Sequence, residues 1–133
     1  MTNQSTLKKI FLFKTIAVVG FSPNVSRPSN FVSSYMEEKG YRIFPVNPGH
    51  ETIGNRRCHK SLIHISQKID IVNIFRKAEH VLPIVQDAIR VEAKVIWMQD
   101  GIMNEDAEKI AKKNHLIVIK NDCIMRQHLS FKS

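Results

Sequence analysis

The sequence contains few of the features that mark secreted or membrane-bound proteins. Its 133 residues include two cysteines, Cys58 and Cys123, and neither belongs to a C-x-x-C pair. Two cysteines do not make the disulfide framework of a small secreted domain. No apolar run approaches the roughly 18 residues of a membrane span, and the N-terminal apolar segment IFLF is too short for a secretory signal. We therefore expect a reduced, cytoplasmic protein with no membrane partner.

Glycine-rich nucleotide motifs are also absent. The apolar run TIAVVG is followed by FSPNVSRPS, which lacks the second and third glycines of a dinucleotide-binding turn. The ribose-binding acid expected after the second strand is missing, because PVNPG stands there. A Walker loop is absent too. These absences argue against an NAD(P)-dependent small oxidoreductase or ligase-like enzyme, which stays open as an alternative function.

Charge of one sign predominates, with 20 Lys and Arg against 12 Asp and Glu and a net charge of +8. This balance favours an anionic partner such as a phosphorylated small molecule, although it also serves solubility. A basic nucleic-acid-binding protein is a further alternative. The charges are scattered, and no motif of interleaved aromatic and basic residues supports that reading.

Short continuous apolar runs, rich in Ile and Val, predict strands covered on both faces, as in a parallel sheet. They lie at 15–20, 70–75, 94–99 and 116–120, and a fifth run, 41–47, mixes apolar and polar residues. Pro45 places the end of this fifth run near an edge or a loop. Helical patterns occupy 29–40, 79–92, 104–114 and the N-terminal 5–13, and a further helix is expected within 121–129. The alternation predicts a Rossmann-like α/β fold: a doubly wound, mostly parallel five-stranded sheet with helices on both faces. We expect one domain, 1–133, with a helical extension at 1–13.

The connection 48–66 is longer than usual, which is typical either of a functional loop or of a segment with a short helix near 62–65. In a doubly wound sheet, ligands bind beyond the carboxyl ends of the strands. Four loops that follow strands are the candidates there: 20–29, 47–49, 75–76 and 99–104. Gly20 permits a sharp turn, the N–H groups near Ser29 and Asn30 open a helix that attracts phosphate, and Arg27 adds a forked cation.

The sequence resembles the small bacterial coenzyme A-binding proteins, which share their domain with the N-terminal part of the succinyl-CoA synthetase alpha subunit. The similarity runs in order from residue 14 to 128 through VVGFSPNVSRPSNFV, KGYRIFPVNPGHETIGNRRCHKSL, DIVNIFRKAEHVLPIVQDAI, VIWMQDGIMNEDAEKIA and VIKNDCIMRQH. The combination of GYRIFPVNP, IVNIFR, WMQDGI and DCI is far more specific than any single piece. The resemblance implies a Rossmann-like domain with coenzyme A (CoA) or an acyl-CoA as its ligand.

Carried over by position, the resemblance assigns a binding role to each of the four loops. Gly20, Ser22 and Arg27 are expected at the phosphates, Asn47 and Pro48 at the adenosine, Phe75 and Arg76 along the crevice, and Gln99 and Gly101 near the pantetheine arm; Phe21, Pro23 and Ser29 complete the predicted binding set. Some residues depart from the family pattern, among them Asn121 before Asp122 and the absence of an Arg before Cys123. Phe21 stands where a small residue is usual, and Asp100 brings a negative charge into a crevice loop.

No catalytic constellation is evident, and we predict none. Ser22 has no base that the sequence reveals, and in the synthetase the phosphorylated histidine lies on a second domain, so the resemblance implies a binder rather than a ligase. Cys58, His59 and His64 lack a second ligand pair at zinc spacing, so no metal site is predicted. Cys123 is either a buried small hydrophobe or a thiol that exchanges with CoA. We expect His80 and His128 at the surface.

Overall fold

A computed structural model, which describes residues 3–132, places five apolar strands in one parallel sheet. In chain order the strands are β1 (Thr15–Val19), β2 (Arg42–Val46), β3 (Thr52–Ile53), β4 (Arg56–Arg57), β5 (Ile71–Ile74), β6 (Val95–Met98) and β7 (Ile117–Ile119). Only β3 and β4 lie outside that sheet; they pair with each other antiparallel.

The order of strands in the sheet is β2-β1-β5-β6-β7, and every pair in it is parallel. The residues of β5 and β6 are buried throughout, which explains why their sequences are continuously apolar rather than alternating. The edge position predicted for Pro45 is confirmed, because β2 is an outer strand. The predicted fold class is likewise confirmed.

Helices cover both faces of the sheet. They are α1 (Gln4–Leu12), α2 (Pro28–Glu38), α3 (Val81–Arg90), α4 (Glu105–Lys113) and α5 (Ile124–Lys132). Side chains of α3 and α4 pack on one face, and those of α1, α2 and α5 on the other. The helix expected within 121–129 begins later, because Asn121 has a φ of 51° and the Asp122 carboxylate accepts from the Cys123 N–H. None of the described helices is long and apolar enough to cross a bilayer.

One surface expectation is wrong. His128 is 3% exposed, and its Nδ1 lies 2.7 Å from the Tyr35 hydroxyl. The rings of Phe11 and Tyr41 pack edge-on against its imidazole. The polar character of histidine suggested the surface, but the face of α5 that carries His128 turns toward α1 and α2. His80, in contrast, is exposed as expected.

The connection 48–66 contains both a hairpin and a short helix. The 3₁₀ helix Leu62–His64 confirms the helical alternative for this segment. The hairpin β3–β4 was not predicted, because strands of two residues carry no periodicity. Arg56 fixes the hairpin to α2: its guanidinium donates to both Glu37 carboxylate oxygens at 3.0 and 2.7 Å.

Candidate functional site

The topological switch point of the sheet lies between β1 and β5. From β1 the chain crosses to β2 on one side, and it later returns to β5 on the other side of β1. At such a point the connections diverge and leave a crevice beyond the carboxyl ends of the strands. The loop after β1 forms the centre of this crevice, held by Gly20 N–H to Val46 O at 3.1 Å.

Gly20 is a position that accepts no side chain. Its φ is +91°, and a Cβ built there would lie 2.8 Å from the carbonyl oxygen of Phe75 and 3.0 Å from Cδ of Arg76. The loops after β1 and β5 therefore touch at this residue. The prediction of a sharp turn at Gly20 is confirmed, and the close contact with the neighbouring loop is an additional reason for glycine.

Two clefts meet at Gly20 and Ser22. The larger, of about 450 Å³, lies between the ends of β1 and β2, the 60–62 turn and α3. The smaller, of about 340 Å³, lies at the start of α2 and is lined by Gly20, Ser22, Arg27, Pro28, Ser29 and Phe75. Of the predicted set, Phe21, Pro23, Asn47, Pro48 and Arg76 line the larger cleft. The first three predicted loops are therefore brought together.

The loop between β1 and α2 is held by its own side chains. The Ser22 N–H donates to Ser29 Oγ at 2.9 Å, and Asn30 Nδ2 donates to the Ser22 carbonyl at 2.9 Å. The Asn24 N–H donates to Ser22 Oγ at 3.1 Å. Ser29 is buried and acts as an acceptor inside the loop, while Arg27 is the N-cap residue of α2. The loop is thus set in shape before any ligand arrives.

The first turn of α2 keeps one donor for a ligand. Pro28 has no N–H, and the N–H groups of Asn30 and Phe31 both donate to the Arg27 carbonyl. The Ser29 N–H has no partner among residues 3–132. The exposed Arg27 guanidinium is in no ion pair within the same range. A helix N-terminus with a free donor and a free guanidinium suits a phosphate group.

Asn47 joins two of the loops. Its Nδ2 donates to the Phe21 carbonyl at 2.8 Å, and its Oδ1 accepts from the Gly49 N–H at 2.9 Å. The Nδ2 bond therefore links the loop after β1 to the end of β2, and the Oδ1 bond shapes the turn that follows β2. Pro48 follows at the rim of the larger cleft.

Phe21 leaves the crevice open. Its side chain is fully buried on the face of the sheet that α1, α2 and α5 cover. The guanidinium of Arg56 lies 5.0 Å from the centre of its ring, a cation–π distance. The ring is therefore anchored beneath the loop instead of filling the cleft.

The fourth predicted loop is not brought to either cleft. The side chain of Gln99 is buried, and its Oε1 accepts from the Ile124 N–H at 3.0 Å, which caps α5. The Gly101 N–H donates to Asn121 Oδ1 at 2.7 Å. Asp100 is exposed and pairs with Arg126 at 2.7 Å, and the guanidinium holds the pKa of Asp100 below its usual range.

Cys123 is buried in the hydrophobic cluster beside α5, at 7% exposure, which agrees with its interpretation as a small hydrophobe. Thiol exchange at Cys123 stays a prediction, and it requires this segment to open. The other thiol, Cys58, is also free and buried, and burial raises its pKa.

Sequence reasoning missed one wall of the larger cleft. His80, the N-cap residue of α3, lines it together with Pro83, Ile84 and Asp87 of α3, and so do Lys60, Ser61 and the first residue of the 3₁₀ helix, Leu62. The first four residues are spaced i, i+3, i+4, i+7, which places them on one side of the helix. That spacing is the signal that would have found them. Nothing in the sequence alone brings the 60–62 turn to this cleft.

A serine and a histidine meet near the cleft. Ser61 Oγ lies 2.7 Å from Nδ1 of His64, three residues later in the same turn. No carboxylate bonds to the other ring nitrogen of His64 among residues 3–132. The pair therefore lacks the third group that orients a catalytic histidine.

Comparison with known proteins agrees with this geometry. Uncharacterized protein YneT of Bacillus subtilis (strain 168) is 38% identical over 115 residues, which are 86% of this chain and 85% of that protein. A solved structure, described as a hypothetical protein from Pyrococcus horikoshii OT3, superposes with a TM-score of 0.96 at 35% identity, covering 99% of this chain and 94% of that one.

Larger enzymes contain a similar region. The ADP-forming acetate–CoA ligase II of Archaeoglobus fulgidus is 26% identical over 108 residues, which are 80% of this chain but only 16% of the ligase. The sequence model of the family described as "CoA binding domain" matches residues 14–128. Because that match spans nearly the whole chain, the protein belongs to the CoA-binding domain family.

Proposed function

We propose that this protein binds CoA or an acyl-CoA at the carboxyl ends of its strands and catalyses no reaction of its own. The observation that carries the proposal is the pair of clefts meeting at Gly20 and Ser22, with the free Arg27 guanidinium beside the Ser29 N–H. The diphosphate of CoA fits this end of α2 by charge and by hydrogen bonding. We also propose a cytoplasmic location, because both cysteines are free thiols.

Gly20 supports the same ligand. Position 20 has no side chain, so the loops after β1 and β5 touch there, and both reach the crevice that the diphosphate would cross. The missing glycines argue against a nicotinamide cofactor, as set out above. The Ser22 hydroxyl accepts from the Asn24 N–H rather than contacting a histidine or a carboxylate, which favours binding without catalysis.

Isothermal titration calorimetry tests the role of the Arg27 guanidinium. If it pairs with a phosphate, Arg27→Ala weakens CoA binding by roughly 1–3 kcal/mol. Arg42→Ala is the matched control. It removes the same charge from an exposed position at the amino end of β2, whereas the crevice lies beyond the carboxyl ends of the strands. We expect this variant to leave the CoA affinity unchanged. An unchanged affinity in Arg27→Ala contradicts the phosphate role.

A ligand panel tests the proposal itself. We expect CoA and acetyl-CoA to raise the melting temperature, with little effect from adenosine, NAD(H) or NADP(H), because phosphate contacts and the missing glycines decide the selection. An equal response to adenosine argues against the proposal.

Incubation with acetyl-CoA, followed by thiol detection, tests for catalysis. Thiol release that Ser61→Ala abolishes would show that the Ser61–His64 pair is a hydrolytic site.

A further inference from the structure

The two sides of the crevice differ in charge. On the β2 side, Lys60 stands on the wall shared by the larger cleft and a neighbouring hollow of about 600 Å³, which Arg57 and His50 also line. Among residues 3–132, neither Lys60 nor Arg57 is in an ion pair. Glu51 is the one carboxylate lining the hollow, so this side is cationic even when His50 is neutral.

The β6 side is anionic. Asp100 and Asp122 both lie there and share a single cation, Arg126, whose Nη2 is 2.7 Å from one carboxylate and 3.0 Å from the other. A ligand with its diphosphate at α2 has two ends to place. The end that carries more negative charge is drawn to the β2 side, and the neutral end lies toward β6.

CoA has such an asymmetry. Its adenosine end carries a 3′-phosphate, a monoester with a charge of about −2 at neutral pH because its second pKa is near 6, whereas its pantetheine end is uncharged. Pro48 lines both the larger cleft and the hollow, as Lys60 does. A phosphate placed at this corner lies within reach of Lys60 without displacing any ion pair.

We propose that Lys60, helped by Arg57 and His50, binds the 3′-phosphate of CoA, and that this corner selects CoA over dephospho-CoA. This inference rests on the proposed CoA binding, and it adds the residue that recognises the 3′-phosphate. Lysine suits this task because its three rotatable donors require no fixed fork geometry.

Calorimetry with two ligands and three proteins tests the inference at one fixed ionic strength. The wild-type protein is expected to bind CoA about tenfold more tightly than dephospho-CoA. Lys60→Ala is expected to lower the CoA affinity about tenfold and to leave the dephospho-CoA affinity unchanged. Lys68→Ala, which removes the same charge from an exposed residue of the same segment outside these clefts, is expected to change neither affinity.

Several outcomes overturn the inference, and they separate it from the proposed function. Equal wild-type affinity for CoA and dephospho-CoA overturns the 3′-phosphate corner while CoA binding stands. So does a Lys60→Ala variant that loses affinity for both ligands equally. A wild-type protein that binds neither ligand overturns the proposed function and the corner together. Lys60→Arg keeps the charge and is expected to retain most of the preference for CoA over dephospho-CoA. Complete loss of that preference in Lys60→Arg would contradict the electrostatic account.

Discussion

At the scale of single residues, Gly20 and Gly40 separate two reasons for glycine. Both have a positive φ, +91° and +98°, but only Gly20 faces another loop: a Cβ at Gly40 meets nothing within 4 Å. Gly40→Ala therefore incurs only backbone strain, about 1–2 kcal/mol. Gly20→Ala incurs the same strain and must also displace the Phe75 carbonyl.

We expect Gly20→Ala to lower the free energy of unfolding by more than Gly40→Ala does, and to weaken CoA binding, which Gly40→Ala leaves unchanged. Urea denaturation measures the first difference and calorimetry the second. Equal destabilisation by the two variants would show that the approach of the Phe75 loop adds nothing to the demand for glycine at position 20.

The same scale shows where sequence reasoning ends. Trp97 lies in the predicted apolar run 94–99, and the structure buries it fully; its indole N–H donates to the Asp122 carbonyl at 2.9 Å. Gln99, two residues later, was predicted near the pantetheine arm, which stays a prediction, and in the structure its Oε1 caps α5. A polar residue at a strand end suits either role, and the choice depends on where a segment distant in sequence packs.

At the scale of elements, α4 is joined to β7 by a charged cluster. Glu108 accepts from Lys112 Nζ at 2.7 Å and from Lys120 Nζ at 2.8 Å. Hydrogen bonds from these two cations hold the pKa of Glu108 below its ordinary value, and the bond from Lys112 has the larger effect. The folded protein thus binds this proton less readily than the unfolded chain does. The stability that results is present above the ordinary pKa of about 4.3 and is lost as the pH falls through the lower folded-state value.

Glu108→Gln is accordingly expected to be less stable than the wild-type protein at neutral pH, and the difference is expected to shrink as the pH falls below about 4.3. Glu38→Gln serves as the control, since Glu38 is exposed and in no ion pair within residues 3–132. Urea denaturation across this pH range measures the difference. If the difference in free energy of unfolding between the two proteins is the same at every pH, the glutamine disturbs packing rather than charge.

Elements long enough to show a pattern were predictable. Each sheet strand lies within a predicted apolar run, and α4 begins after Asn104, whose Oδ1 accepts from the Ala107 N–H as its N-cap position requires. The hairpin β3–β4 was not, because its position depends on Arg56 reaching Glu37 of α2. The order of strands was also beyond the sequence, since parallel strands with similar apolar runs do not specify their neighbours.

At the scale of the whole molecule, the packed structure extends beyond the stretch that the family model matches. The match begins at residue 14, yet α1 places Leu7, Ile10 and Phe11 in the same cluster as Trp97 and α5. The Tyr41 hydroxyl also donates to the Phe11 carbonyl at 3.0 Å. Burial of this side chain raises the pKa of Tyr41 to about 12. We infer that α1 is part of the core that supports the crevice from below.

Ile10 and Leu12 allow this to be measured on one helix. Ile10 is fully buried, whereas Leu12 is 73% exposed. Ile10→Ala should lower the free energy of unfolding by about 2–5 kcal/mol, because it removes buried methyl groups and leaves a cavity; Leu12→Ala should change it by less than about 0.5 kcal/mol. If α1 is an independent appendage, both variants will have the same urea midpoint of unfolding as the wild-type protein, because the loss of a detached helix leaves the sheet and its two clefts intact.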